Sequence, residues 1–233
     1  YRPRRIDLGP WRIWITCAVV LFLVFAYVLP ILMLFWASLQ PFYRTPSLTA
    51  LEKISLANFE FIFNLESTNR ALRNSLILGV ASATIIMFLT GVLSWMLVRT
   101  RSALTRLVDM AIFVPISLPG IVLAISVMWV YITLPLGLYG TIWILLIAYL
   151  TKFMPQGMRF ANAAAIQIHV ELEEAARIHG ATWWQTIRGI TFPLMAPGLL
   201  VGWLYVMVYA FREVSASVLL YTTGTEVIAV NAF

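Results

Sequence analysis

Long runs without a charged residue alternate along this chain with short polar stretches. The runs cover residues 13–43, 74–98, 110–151 and 189–211. A charge near the middle of a bilayer costs roughly 2.5–3.5 kcal/mol on insertion scales, and a spanning helix needs about 20 mainly apolar residues. Charge-free runs of this length therefore mark membrane-spanning helices. The third run has room for two, with the turn between them at Leu134, Pro135, Leu136, Gly137, Leu138, Tyr139 and Gly140. The pattern predicts five helices, over roughly 13–39, 74–98, 110–133, 141–160 and 194–211. The first has too long an apolar region for a cleavable signal peptide, and no small-residue cleavage pattern follows it.

Composition agrees with an all-α, polytopic membrane protein. Of 233 residues, 61% are hydrophobic and only 11% charged, against about 25% charged in soluble domains. The 14% aromatic content suits side chains at membrane interfaces. The net charge of +6 is dispersed between the apolar runs, which fits membrane topology and argues against nucleic acid as a partner. Arg2, Arg4, Arg5, Arg12, Arg99, Arg101, Arg106, Lys152, Arg159, Arg177 and Arg188 fall on one side of the predicted spans. Arg44, Lys53, Arg70, Arg73 and Arg212 fall on the other, three of them in mixed loops with Glu52, Glu60, Glu66 and Glu213. The bias predicts a cytoplasmic N-terminus and, after five spans, an external C-terminus. Residues 214–233 are too interrupted to span, so a sixth helix is expected beyond the sequence. Cys17 alone excludes a disulfide within the chain.

The most informative segment is polar. Residues 169–197 hold Glu171, Glu173, Glu174, Arg177 and Arg188. Val170, Leu172, Ala175, Ala176 and Ile178 interleave with these charges as on a short amphipathic helix, which Gly180 interrupts. A second short helix is predicted over 182–191, stopped by Pro193. Two short helices around a glycine suit docking into a partner's groove; a plain interfacial helix–turn–helix is the alternative.

Here the residues resemble a family. Glu174, Ala175 and Ala176, then three residues, Gly180, nine residues, Ile190, one residue, Phe192 and Pro193 resemble the EAA loop of ABC importer permeases, whose pattern is Glu-Ala-Ala-x3-Gly-x9-Ile-x-Leu-Pro. Phe192 in place of Leu is the one departure. Asn74-Ser75-Leu76 is similar to the opening of that family's permease core. The stretch from Phe211 through Arg212, Glu213, Val214, Ser215 and Ala216 to Tyr221 is similar to ferric-iron-type permeases, as is the opening from Arg4 to Trp11. The chain is most like the second half of a fused ferric-iron permease. The resemblance implies a type I importer transmembrane fold, with a permease core over 71–233 after an N-terminal segment over 1–70, and a coupling loop at about 168–193. It implies a multi-pass protein of the bacterial inner membrane. Its implied partners are an ABC ATPase dimer, a second permease half, a periplasmic solute-binding protein and membrane lipids. Glu174, Ala175, Ala176, Gly180, Ile190 and Pro193 are the implied ATPase-coupling residues.

No phosphate-binding Gly-x4-Gly-Lys-Ser/Thr loop is present, so ATP and Mg belong to the partner ATPase and this chain is expected to bind no cofactor. No catalytic residue and no metal site are expected: His169 and His179 accompany the loop's glutamates, but two ligands do not make a site. Candidates for the solute path or a gate are Ser117, Pro119, Ser126, Arg212, Glu213 and Ser215. Pro115, Pro119 and Gly120 either free carbonyls to line a polar route or mark an ordinary kink. Arg212 and Glu213 are either a gate, a contact for a binding protein, or a snorkelling interfacial pair. A membrane-embedded enzyme would need paired acids or an activated nucleophile inside the spans, and a secondary transporter buried ionisable groups and inverted repeats. The charge-free reading of the spans speaks against both. Iron leads among the expected cargoes, with phosphonate, thiamine, sulfate or polyamine as alternatives.

Overall fold

The computed structural model describes residues 9–42, 45, 47–100 and 102–232. Arg2, Arg4, Arg5, Arg44 and Arg101 of the charge count, and residues 4–8 of the opening resemblance, lie outside these. The described residues form helices and connections, with no strand among them. The chain divides into two compact units between Leu65 and Glu66.

The first unit is led by α1 (Gly9–Ser38), 30 residues of which none is buried. A wide π turn at Val24–Val28 precedes Pro30. Proline lacks an N–H and crowds the carbonyl four residues back, and a widened turn relieves that crowding. Two short helices follow, α2 (Leu48–Leu51) and α3 (Ala57–Asn64). Asn58 Nδ2 donates to the carbonyls of Ser38 and Gln40 at 3.1 and 2.8 Å, which ties α3 to the end of α1.

The second unit is built on α4 (Glu66–Arg99), α5 (Ala103–Ser117) and α6 (Gly120–Thr133), followed by α7 (Ile142–Ile166) and α8 (Val170–Ile178). The long α9 (Trp183–Phe211) and the short α10 (Ser217–Leu220) and α11 (Ile228–Asn231) complete it. Helices α4, α7 and α9 pack on one another. Ala71, Ser75, Gly79, Ser82, Ala83, Thr90, Gly91 and Ser94 form a small-residue stripe at helical spacing down the buried face of α4. Ala148, Gly157, Ala161, Ala164 and Ala165 are buried on α7. Lipid is as apolar as leucine, so helices in it are held by close backbone approach, which small residues permit. At Gly157 a Cβ would land on the Ile86 side chain, so no larger residue fits.

Four boundaries differ from the sequence expectation. Helix α4 begins at Glu66, so Arg70 and Arg73 lie in its first turns, and Arg70 pairs with Glu66 one turn back at 3.3 Å. The third helix is broken: α5 and α6 meet at 112° across Leu118 and Pro119, and Pro115 lies in the 3-10 turn that ends α5. The prolines therefore sit between two helices, not at the start of one. Helix α7 runs on to Ile166, past the expected end at 160, with Lys152 and Arg159 inside it. Pro193 does not stop α9, because the π turn Ile187–Thr191 lies ahead of it and carries the helix through.

Among the described residues, three helices are long and apolar enough to cross a membrane, α1, α4 and α9, or four if the bent pair α5–α6 counts as one span. The difference from the expected five lies in α7, which Lys152, Gln156, Arg159 and Asn162 interrupt. It packs along α4 and α9; Lys152, Gln156 and Asn162 are partly covered, whereas Arg159 is exposed.

Candidate functional site

The loop between α7 and α9 is held from behind by one buried carboxylate. Glu173, on α8, is 4% exposed. Its Oε1 accepts from Trp95 Nε1 at 3.1 Å, Arg99 Nη2 at 3.0 Å and Thr191 Oγ1 at 3.1 Å, and its Oε2 accepts from Arg99 Nε at 3.2 Å. Arg99 Nη2 also donates to the Ile168 carbonyl at 3.0 Å. Trp95 and Arg99 are four residues apart and share one face at the end of α4. Thr191 belongs to the π turn of α9. A single carboxylate therefore joins α4, α8 and α9. Burial raises the Glu173 carboxyl, but the donors from Arg99 and Trp95, the Arg99 charge and the Thr191 hydroxyl outweigh it and hold the group below its usual range.

The opposite side of the loop is open. Glu174, Ala175, Arg177 and Ile178 are exposed, Ile178 to 84%. Helix α8 ends at Gly180, whose φ of +82° lies in the left-handed region. The Ala181 N–H donates to the Ala176 carbonyl and the Gly180 N–H to the Arg177 carbonyl, the paired bonds of a Schellman end. Thr182 and Gln185 then cap α9 reciprocally. Exposed Trp183 and Trp184 follow, with Trp183 edge-on to Trp95 at 5.7 Å. Of the six predicted coupling residues, Glu174, Ala175 and Ala176 share α8, Gly180 forms its end, Ile190 lies in the π turn and Pro193 follows it. His179 Nδ1 bonds the Ala175 carbonyl at 2.8 Å.

A second cluster gathers at the break between α5 and α6. Lys152 lies ten residues after Ile142, about 15 Å along the α7 axis at 1.5 Å per residue. Its Nζ donates to Glu213 Oε2 at 2.5 Å. The Ala216 N–H donates to the other carboxylate oxygen at 2.8 Å. Ser217 Oγ donates to the Glu213 carbonyl at 2.7 Å and is itself 2.7 Å from the Tyr149 hydroxyl. At Gly120 a Cβ would come within 2.7 Å of Lys152 Nζ and 3.0 Å of Ser215 Cβ. Pro119 is the residue just before α6. The break thus admits the lysine.

Of the path candidates, Pro119, Glu213 and Ser215 come together here, and Arg212 is exposed beside them. Ser117 and Ser126 do not join: their hydroxyls donate to the Val114 and Val122 carbonyls of their own turns. Glu213 pairs with Lys152, not with its neighbour Arg212, because the chain turns back on itself after α9. The expectation of charge-free spans fails at this pair. Lys152 and Glu173 are the residues that sequence reasoning passed over. The signal for Lys152 was a lysine inside a predicted helix over 141–160. The signal for Glu173 was weaker, one acid among several in the same short helix.

Comparison with known proteins bears on the family of the chain. The family model for "Binding-protein-dependent transport system inner membrane component" matches residues 87–231. The chain is 26% identical over 160 residues to the Fe(3+)-transport system permease protein FbpB 2 of Haemophilus influenzae, covering 69% of this chain and 32% of that one. It is 28% identical to the trehalose transport system permease protein SugB of Mycobacterium tuberculosis, covering 86% and 73%. It is 25% identical to a putative 2-aminoethylphosphonate transport system permease protein, PhnV, of Salmonella paratyphi A, covering 70% and 62%. The chain thus spans about a third of the ferric relative's length. A chain from a bacterial ABC transporter involved in alginate import shares the fold, with a TM-score of 0.69 at 23% identity over 95% of this chain and 82% of that one. With more than half of its residues matched, the chain belongs to the family of binding-protein-dependent transport system inner membrane components.

Proposed function

We propose that the chain is the permease subunit of an ATP-driven importer, passing a solute from a periplasmic binding protein into the cytoplasm. The observation that carries this reading is the construction of the α8 loop. Its back is fixed to α4 and α9 through Glu173, while Glu174, Ala175 and Ile178 are left open. A surface pinned to two helices and open on its other side is suited to receive force from a partner and pass it to the spans. In this reading the loop is cytoplasmic, as is the N-terminus. The partner is an ABC ATPase dimer that supplies ATP, Mg and hydrolysis, and Glu174, Ala175, Ala176, Gly180, Ile190 and Pro193 make or shape the contact. A second permease half completes the path, and this chain contributes no catalytic group.

For cargo, the ferric relative supports iron, delivered by its binding protein. The trehalose and phosphonate relatives keep a sugar or a phosphonate as alternatives. The test is reconstitution of the full complex in proteoliposomes, with ATP hydrolysis followed as binding proteins loaded with ferric ion, a phosphonate or a disaccharide are added. Stimulation by one of them, lost together with transport in Gly180→Asp and Glu174→Lys while membrane insertion persists, supports the assignment. Transport that continues without any ATPase overturns it.

A further inference from the structure

We infer that Lys152 is a positioning residue for transport: its pair with Glu213 latches the segment after α9 onto α7 and the α5–α6 break, and the latch opens during each cycle. The inference rests on the importer reading above. Three elements meet at this contact. Helix α7 supplies Lys152, the turn after α9 supplies Glu213, and the 112° break supplies the space at Gly120 through which the lysine passes. The buried residues of α7 are otherwise apolar or small, and it bonds α4 through Ser94 Oγ and Asn162 Oδ1 at 2.7 Å.

The two halves of the pair are not equally enclosed. The Glu213 side chain is 7% exposed and is held on its other oxygen by the Ala216 N–H, whereas the Lys152 side chain is 23% exposed. The lysine side is therefore the side from which water would enter the contact when the segment moves. An ion pair weakens about fourfold when the effective dielectric rises from that of a protein site to that of water. Dry, the pair holds the segment closed; wetted, it holds far less. Such a contact responds to water entry, which an apolar contact of the same size does not, and a charge on a helix packed among the spans ordinarily marks a solute or ion route. Ser215, beside Gly120 and partly exposed, reports on the space that opening would create.

The experiment uses the complete reconstituted complex with Cys17→Ser and Ser215→Cys. Labelling of the new thiol by a negatively charged methanethiosulfonate is timed without nucleotide and after trapping with ATP and vanadate. With Lys152 and Glu213 intact, the labelling rate should differ between the states by about tenfold, the factor that 1.4 kcal/mol of latch energy produces. Lys152→Met should remove the difference by raising the slow rate. Because it leaves a carboxylate enclosed without its partner, Lys152→Met/Glu213→Gln is measured alongside and should behave the same. Equal rates in both states with the pair intact, or wild-type state dependence in the double neutral variant, overturn the latch. Absence of ATP hydrolysis by the complex instead counts against the importer reading.

Discussion

Replacing Glu173 by leucine tests the mechanical claim at the α8 loop. The change removes acceptors for Trp95, Thr191 and both donors of Arg99, and leaves the guanidinium only the Ile168 carbonyl among these partners. Breaking a buried ion pair from one side costs about 3–5 kcal/mol. Arg99 keeps 14% side-chain exposure and one carbonyl, so water recovers part of this, and about 2–4 kcal/mol is the expected loss. The loss is local, because α8 is attached to α4 through this network while the α4, α7 and α9 core is packed elsewhere. Hydrogen exchange across residues 170–179 reads it directly. A loss of 2–4 kcal/mol in opening free energy raises exchange there by about 30-fold to 1,000-fold, with protection in α4 and α7 unchanged. Glu173→Gln keeps the volume and part of the acceptor set and should fall between wild type and leucine. If exchange in 170–179 changes less than about threefold in Glu173→Leu, the carboxylate does not hold the loop and the argument fails.

Gly180→Ala meets no atom within 4 Å, so its cost is purely the left-handed backbone, about 1–2 kcal/mol. It should loosen the end of α8 in the same exchange experiment, and Gly180→Asn should loosen it less. The Glu173 carboxyl titrates below its usual range, so its contribution is complete above that range and is lost as pH falls through the lowered value. Protection of α8, corrected for intrinsic exchange, should therefore stay level from about pH 8 to pH 5 and decline only in stronger acid. A decline between pH 8 and 6 would show that another group controls the loop. Gly157→Val would drive α7 off the Ile86 side chain, and overpacking of this kind costs about 1–3 kcal/mol. The melting temperature in detergent should fall while the α8 exchange pattern is kept.

The long apolar helices were legible because insertion energy penalises charge so strongly that its absence is a signal. The interruption at Gly180 was legible too, since a left-handed residue at a helix end is a local demand. The break at Leu118 and Pro119 was misplaced: proline reports that a helix is perturbed, but whether it starts, kinks or ends is decided by what packs there, here Lys152 and Ser215. Pro193 misled in the opposite direction, because the π turn ahead of it depends on three-dimensional packing that local propensity does not encode. Lys152 and Glu173 escaped for a shared reason. Each is a charge made tolerable by a partner distant in sequence, 61 residues away for Glu213 and 74 for Arg99. A reading that counts charges along the chain sees the charge and not its partner.

The polar character of α7 also constrains the order of assembly. A lysine or arginine at the centre of a helix opposes entry into lipid by roughly 2.5–3.5 kcal/mol each, and α7 carries Lys152 and Arg159. The ribosome makes α7 before α9, and the carboxylate that neutralises Lys152 comes 61 residues after it. At 5–20 residues per second that interval lasts about 3–12 s. For those seconds the nascent helix has α4 beside it but neither α9 nor Glu213. The expected consequence is that α7 settles among the spans only after Glu213 has been made, and that a stall between residues 166 and 213 leaves Lys152 without its partner.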